Sequence, residues 1–297
     1  MTSIGYRVIC AVDGSAGSDH ALDFVGALPI RPHDEVIVAT HPPYLFANAG
    51  PEGIAARLDA GARQQARVTV DAAAARLAAW GVRARSTICE GEDTVDALIR
   101  LAEREHASLF VAGSRGRGAW TSILLGSTAR ALAITSPIPV LIVRERTHAP
   151  LRVLTAIDGS PSACVALGAF GRLPQNEGTV LELLHVLPQH VWSTGDIDWM
   201  EIGRRTEIER QEETASAAML ASQERSLPRG VRVRVRQERG HPGLAILRRA
   251  EEIDADLIVV GTRGLRGPRQ LFFGSTAERV LTHAKANVLV GPQSADS

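Results

Sequence analysis

The chain repeats itself, and that constrains its fold more than any other feature. Ala11-Val12-Asp13-Gly14-Ser15 returns as Ala156-Ile157-Asp158-Gly159-Ser160. Later in each half, Gly113, Gly116 and Gly126 with Ser127-Thr128 return as Gly261, Gly264 and Gly274 with Ser275-Thr276. Motifs recurring in the same order mark tandem copies of one domain. Charge and a proline interrupt the pattern near Glu145–Pro150, which gives domains 1–147 and 148–297. A length of 297 residues suits two cores of ordinary size.

Within each copy, apolar runs alternate with helical patterns. In the first, Arg7–Val12, Glu35–Thr40, Val82–Cys89, Leu109–Ala112 and Val140–Val143 read as strands. Helices are expected from Gly14-Ser15 to about Leu28, over Ile54–Trp80, on the face of Val95, Leu98, Ile99 and Ala102, and over Ser127–Thr135. The second copy places strands near Arg152–Ile157, Val180–Val186, Val231–Gln237, Leu257–Val260 and Val288–Val290. Its long helix covers about Ile202–Glu224, after a polar loop with Trp192 and Trp199. Such alternation predicts an α/β fold: two tandem doubly wound domains, each a five-stranded parallel sheet with helices on both faces. Right-handed crossovers favour the order 3-2-1-4-5. That order sets strands 1 and 4 side by side, so Asp13 and Gly113 face one crevice.

The glycine stretches suit an anion. Glycine lets a backbone approach a ligand closely, and free N–H groups where a loop enters a helix hold phosphate. Each stretch follows an apolar strand and precedes a helix, so a phosphate cradle in each copy is the expectation, against a plain surface loop. Asp13 and Asp158 read as ligand contacts that also close an Asx turn or cap a helix. Arg115, Arg117 and Arg263 are placed to reach phosphate oxygens, with solvated loop arginines as the alternative. Ser127 and Ser275 serve equally as helix caps and phosphate donors.

Bulk properties exclude several classes. Lys plus Arg balance Asp plus Glu at 33 each, so no global field favours nucleic acid or an anionic membrane. Arg232, Arg234 and Arg236 alternate with valines, which reads better as a charge-guarded edge strand than as a nucleic-acid strip. Cys10, Cys89 and Cys164 are odd in number and far apart, so they read as buried free thiols rather than a disulfide framework. No apolar run is long enough to span a bilayer, and Asp13 comes too early for a secretory signal. A cytoplasmic protein is expected. His41 and His185 have no second ligand at metal spacing and read as structural.

At these residues the chain resembles the universal stress protein family in its tandem form. The carriers are Asp13 and Asp158, the two Gly-x2-Gly-x9-Gly-Ser stretches, Leu184-His185-Val186 after strand 2, and Pro137-Ile138-Pro139-Val140-Leu141-Ile142-Val143. The resemblance implies an ATP-binding stress-response or regulatory module, with one nucleotide site per copy and Mg²⁺ held through the phosphates. It assigns Ala11, Asp13, Ala156 and Asp158 to the nucleoside side. It gives the backbone of Pro42 and Val186 to adenine. Gly113, Arg115, Gly116, Gly126, Ser127 and Thr128 take ribose and phosphates in copy one, as do Gly261, Arg263, Gly264, Gly274, Ser275 and Thr276 in copy two. It also implies pairing through strand 5, here between the two copies of one chain, with room for a further homodimer. No protein partner is legible.

Two asymmetries follow. Aligning Val36–His41 with Val180–His185 sets Pro42 opposite Val186, and proline lacks the N–H that adenine would use. Weaker or less adenine-selective binding in copy one is the expectation. Ser275-Thr276-Ala277-Glu278 resembles a capping box, whereas copy one has Arg130 at that place, and a phosphate repelled by Glu278 would push the asymmetry the other way. Neither copy has a P-loop lysine, and no nucleophile or base pair is legible. A binding module is therefore favoured over a slow ATP hydrolase, or over an adaptor that has lost its nucleotide.

Overall fold

The computed structural model describes residues 6–42, 54–116, 125–145, 150–189, 199–227, 231–262 and 273–292. The first repeat runs β1 (Arg7–Ala11), α1 (Ala16–Ala27), β2 (Glu35–Thr40), α2 (Ile54–Ala79), β3 (Ala84–Ile88), α3 (Thr94–Arg104), β4 (Leu109–Gly113), α4 (Ser127–Thr135) and β5 (Val140–Val143). The second runs β6 (Arg152–Ala156), α5 (Pro161–Arg172), β7 (Val180–Leu187), α6 (Trp199–Ser226), β8 (Arg232–Arg239), α7 (Pro242–Glu252), β9 (Leu257–Gly261), α8 (Ser275–His283) and β10 (Asn287–Gly291).

All ten strands join one sheet, in the order β3-β2-β1-β4-β5-β10-β9-β6-β7-β8. Each half is the expected doubly wound 3-2-1-4-5 arrangement with parallel neighbours. The halves meet at β5 and β10, which pair antiparallel with Leu141 opposite Leu289. These two leucines hold the same place in their repeats, so a pseudo-two-fold axis passes between them.

Strand side chains alternate between two cores. Val8 and Cys10 join one apolar cluster, which also holds Phe24, Val70, Phe170 and Leu220 of α1, α2, α5 and α6. Ile9 joins the opposite cluster, with Leu98, Leu132, Ile246 and Leu281 of α3, α4, α7 and α8. Burial on both faces explains why the central strands read as unbroken apolar runs. The arginine-bearing β8 is the outer strand of the second half, as the charge-guarded reading requires.

Cys10 and Cys89 are buried, and burial pushes their thiols up to about 12 and about 11. The expectation of three buried thiols fails at Cys164, which is half-buried. Among the described residues, no helix is long and apolar enough to cross a membrane, and no group of three or more His, Cys, Asp and Glu could hold a metal ion.

Candidate functional site

The doubly wound order leaves a crevice at the C-terminal ends of β1 and β4, where the helices after them turn to opposite faces. A cavity of about 400 Å³ fills it. Ala11, Asp13, Gly113, Arg115, Gly116, Gly126, Ser127 and Thr128 all line it. Their sequence separation is large, and the β1–β4 pairing is what brings them together.

Local chemistry fixes each wall. Asp13 Oδ1 accepts from the Ser15 N–H at 3.0 Å, an Asx turn that passes the chain into α1. Ser15 caps α1 by accepting from the Ser18 N–H, and its hydroxyl donates to the Arg115 carbonyl at 3.1 Å. The start of α1 is thereby tied to the glycine stretch. Close backbone packing requires small residues there: a Cβ on Gly113 would overlap the backbone of Gly17, and one on Gly17 would overlap the Arg115 carbonyl. At Gly116 a Cβ would stand 2.7 Å from Asp13 Oδ2.

The opposite wall is the start of α4. The Gly126 N–H donates to the Ser114 carbonyl at 2.7 Å, which closes the loop onto the helix. Gly126 is the N-cap and supplies no side-chain hydrogen bond to the first turn. The N–H groups that open α4 belong to Ser127, Thr128 and Ala129, all of which line the cavity. They and the helix dipole favour an anion at that end. Arg115 adds positive charge; with burial as the larger cause, its field also lowers the pKa of neighbouring Arg144.

The second repeat is built alike. Asp158 Oδ1 accepts from the Ser160 N–H at 2.9 Å, and Ser160 caps α5. The Gly274 N–H donates to the Thr262 carbonyl at 2.8 Å, and Gly274 caps α8 without a side chain. Ala156 ends β6, Gly261 ends β9, and Ser275 and Thr276 open α8. Arg117, Arg263 and Gly264 lie outside the described residues.

Two expectations are corrected. The register pairs Ala11 with Ala39 and Ala156 with Leu184. Structurally, His41 therefore stands where Val186 stands, and Pro42 is one place further on. The Leu184 carbonyl accepts from the Ile157 N–H, while that of Leu187 accepts from Gly240. This alternation turns the Val186 amide to the β6 side, beyond the end of β6. In the first repeat Ala39 accepts from Val12 and Thr40 from Cys89, which turns the His41 amide to the β1 side. His41 has the N–H that Pro42 lacks, Pro42 does not line the cavity, and the argument for a weaker first site falls. Glu278 is the second correction. It forms no capping box; its carboxylate reaches across to Arg130 at 2.7 Å.

Several lining residues were not singled out from the sequence as ligand contacts: Ser18, Thr40, His41, Thr94 and Leu98. His41 Nε2 donates to the Gly91 carbonyl at 2.8 Å, which leaves Nδ1 to accept from the Thr94 hydroxyl at 3.1 Å. Both ring nitrogens are engaged in holding the end of β2 against α3. In the second repeat His185 instead contacts the Ser216 hydroxyl at 2.6 Å.

Fold and cleft together define a tandem doubly wound α/β protein with an anion-suited crevice at the switch point. The sequence profile of the universal stress protein family matches residues 6–144 and 151–292. The chain belongs to the universal stress protein family. It is 30% identical over 301 residues to a universal stress protein of Mycolicibacterium smegmatis, covering 96% of each chain. A universal stress protein of Mycobacterium tuberculosis is 30% identical over 197 residues, 63% of this chain and 62% of that protein. The crystal structure of a universal stress protein from Archaeoglobus fulgidus superposes with a TM-score of 0.63 at 24% identity, covering 97% of this chain and 98% of the other.

Proposed function

We propose that this protein is an ATP-binding regulatory module with one nucleotide site in each repeat. The observation that carries this reading is the convergence of Asp13, Gly116 and the open first turn of α4 on one cavity of about 400 Å³. That volume lies within the range of small-molecule sites, roughly 300–1,000 Å³. The phosphates lie against the Gly113–Gly116 turn and the amides of Ser127–Ala129. Asp13 and Ala11 flank the nucleoside, and the His41 amide meets the base. Mg²⁺ would be held through the phosphates, with Asp13 the carboxylate among the described lining residues. The second site uses Ala156, Asp158, Val186, Gly261, Gly274, Ser275 and Thr276, and the same motif assigns Arg263 and Gly264 to it. Occupancy acts through conformation or a partner surface; His41, the histidine among the described lining residues, has both ring nitrogens engaged in holding β2 against α3.

The test is a mass spectrum of the small molecule released by denaturing purified protein, followed by calorimetric titration with ATP, AMP and cyclic AMP. An adenine nucleotide, bound at two sites with negligible phosphate release, is the expected outcome. Steady phosphate release abolished by Asp13→Ala and Asp158→Ala would establish a slow hydrolase instead. No released nucleotide and no heat with ATP would leave an adaptor.

A further inference from the structure

The seam between the repeats is close to symmetric in its backbone and asymmetric in its polar side chains. At a two-fold seam, a residue near the axis faces its own counterpart. Arg130 and Glu278 are such counterparts, each the fourth residue of its helix, α4 or α8. They carry opposite charges and meet at 2.7 Å. Were the first repeat to pair with another first repeat, arginine would face arginine. Two second repeats would set glutamate against glutamate.

The end of the seam repeats the logic with backbone groups. Asn287, at the start of β10, is 2% exposed. Its Oδ1 accepts from the Arg144 N–H at 2.8 Å and the Glu145 N–H at 3.3 Å. The Arg144 guanidinium also donates to the Leu281 carbonyl. The place of Asn287 in the first repeat is taken by Pro139, which has no side-chain acceptor, and the place of Arg144 in the second by Pro292, which has no N–H. A like-with-like pairing therefore deprives Arg144 N–H of its acceptor, or Asn287 Oδ1 of its closer donor. Buried polar groups left unmet oppose such assemblies, and like charges brought together add to the penalty.

We propose that this seam is a heterotypic interface, coded by Arg130, Arg144, Glu278 and Asn287 to accept repeat one against repeat two and to reject either repeat against itself. The inference is independent of what the clefts bind. Its consequence is that the β5 and β10 edges serve the partner repeat alone, so further assembly of whole chains uses other surfaces.

Charge reversal in the full chain, read by amide hydrogen exchange over residues 140–143 and 287–291, tests the code. Arg130→Glu and Glu278→Arg should each speed exchange at the seam roughly three- to tenfold, a range set by the modest strength of an exposed pair. The Arg130→Glu/Glu278→Arg double variant should return the seam to wild-type rates. Single variants without effect, or a double variant no better than the singles, would overturn the proposal. A second measurement addresses rejection directly. With a short bis-maleimide, Arg130→Cys/Glu278→Cys should link within one chain, and peptide mapping of Arg130→Cys alone should find no 130-to-130 link between chains. Finding that link would also overturn it.

Discussion

Glu182 and Arg249 show how one repeat can carry a polar solution where the other carries an apolar one. Glu182, on β7, is 3% exposed. Arg249 of α7 grips both its oxygens, at 2.6 and 2.8 Å, and reaches Glu252 at 2.8 Å. Those bonds, Glu182 first, raise the pKa of Arg249 against the opposing effect of burial. The matching places in the first repeat hold Ile37 and Leu101, both buried in the apolar core. Removing one partner from such a pair leaves the other charge unmet, at about 3–5 kcal/mol, whereas replacing both with packed apolar groups is near neutral or stabilising. Glu182→Ile and Arg249→Leu alone should each lower unfolding free energy by that amount in urea titrations, and the double variant should recover most of it. Glycines give a second contrast at this scale. Gly113→Ala drives a methyl into the backbone of Gly17 and should cost roughly 1–3 kcal/mol, as overpacking does. Gly168, inside α5, has nothing within 4 Å of where a Cβ would stand. Gly168→Ala should instead stabilise by about 0.4–1 kcal/mol, through helix propensity and a less free unfolded chain. Thermal melts of the two variants should move in opposite directions.

Among the elements, α4 and α8 are where the nucleotide reading can be tested without disturbing the fold. Ser127 and Ser275 are first residues of their helices, a position that tolerates proline because its N–H has no helical partner. The preceding glycines have ψ of 147° and 143°, extended values that a following proline favours. Ser127→Pro should keep α4 intact yet remove one amide from the cleft. A charge-assisted hydrogen bond contributes about 1.5–3 kcal/mol, so ATP affinity at that site should fall about tenfold or more beyond the loss in Ser127→Ala. Titration should then resolve one weakened and one intact site, and Ser275→Pro should weaken the other. An affinity unchanged by either proline would remove α4 and α8 from the binding argument. Element order, the switch point and the glycine stretches were legible because periodicity and duplication report topology directly. The register of β2 against β7 was not. His41 and His185 suggested an alignment by identity, but the ladders give Thr40 the place in its repeat that His185 holds in the other, and a one-residue slip exchanges Pro42 for His41. The contributions of Thr94 and Leu98 were also hidden, because the packing of α3 beside the end of β2 leaves no spacing signal. Glu278 looked like half of a capping box locally, and only the other repeat supplied its true partner.

For the molecule as a whole, the decisive feature is that neither core stops at the seam. One cluster joins Leu141 and Val143 to Leu289, Val259 and Phe170; the other joins Val140 and Ile142 to Val288, Val290 and Leu281. Opening the seam would expose both clusters and free the edges of β5 and β10, which invite unwanted pairing. The two repeats should therefore unfold together, in one calorimetric transition whose measured enthalpy matches its van't Hoff value. Leu289, fully buried opposite Leu141 on the axis, belongs to that shared core. Leu289→Ala should cost about 2–5 kcal/mol, the range for truncating a buried leucine, and should lower the single transition without dividing it. Two separate transitions in the wild-type scan would mean that the repeats are stable alone, with the seam joining two finished domains. A loss confined to the second repeat in Leu289→Ala would mean the same. Burial on both faces of β5 and β10 argues for the shared transition, since each strand fills the interior of a ten-stranded sheet only while the other lies beside it.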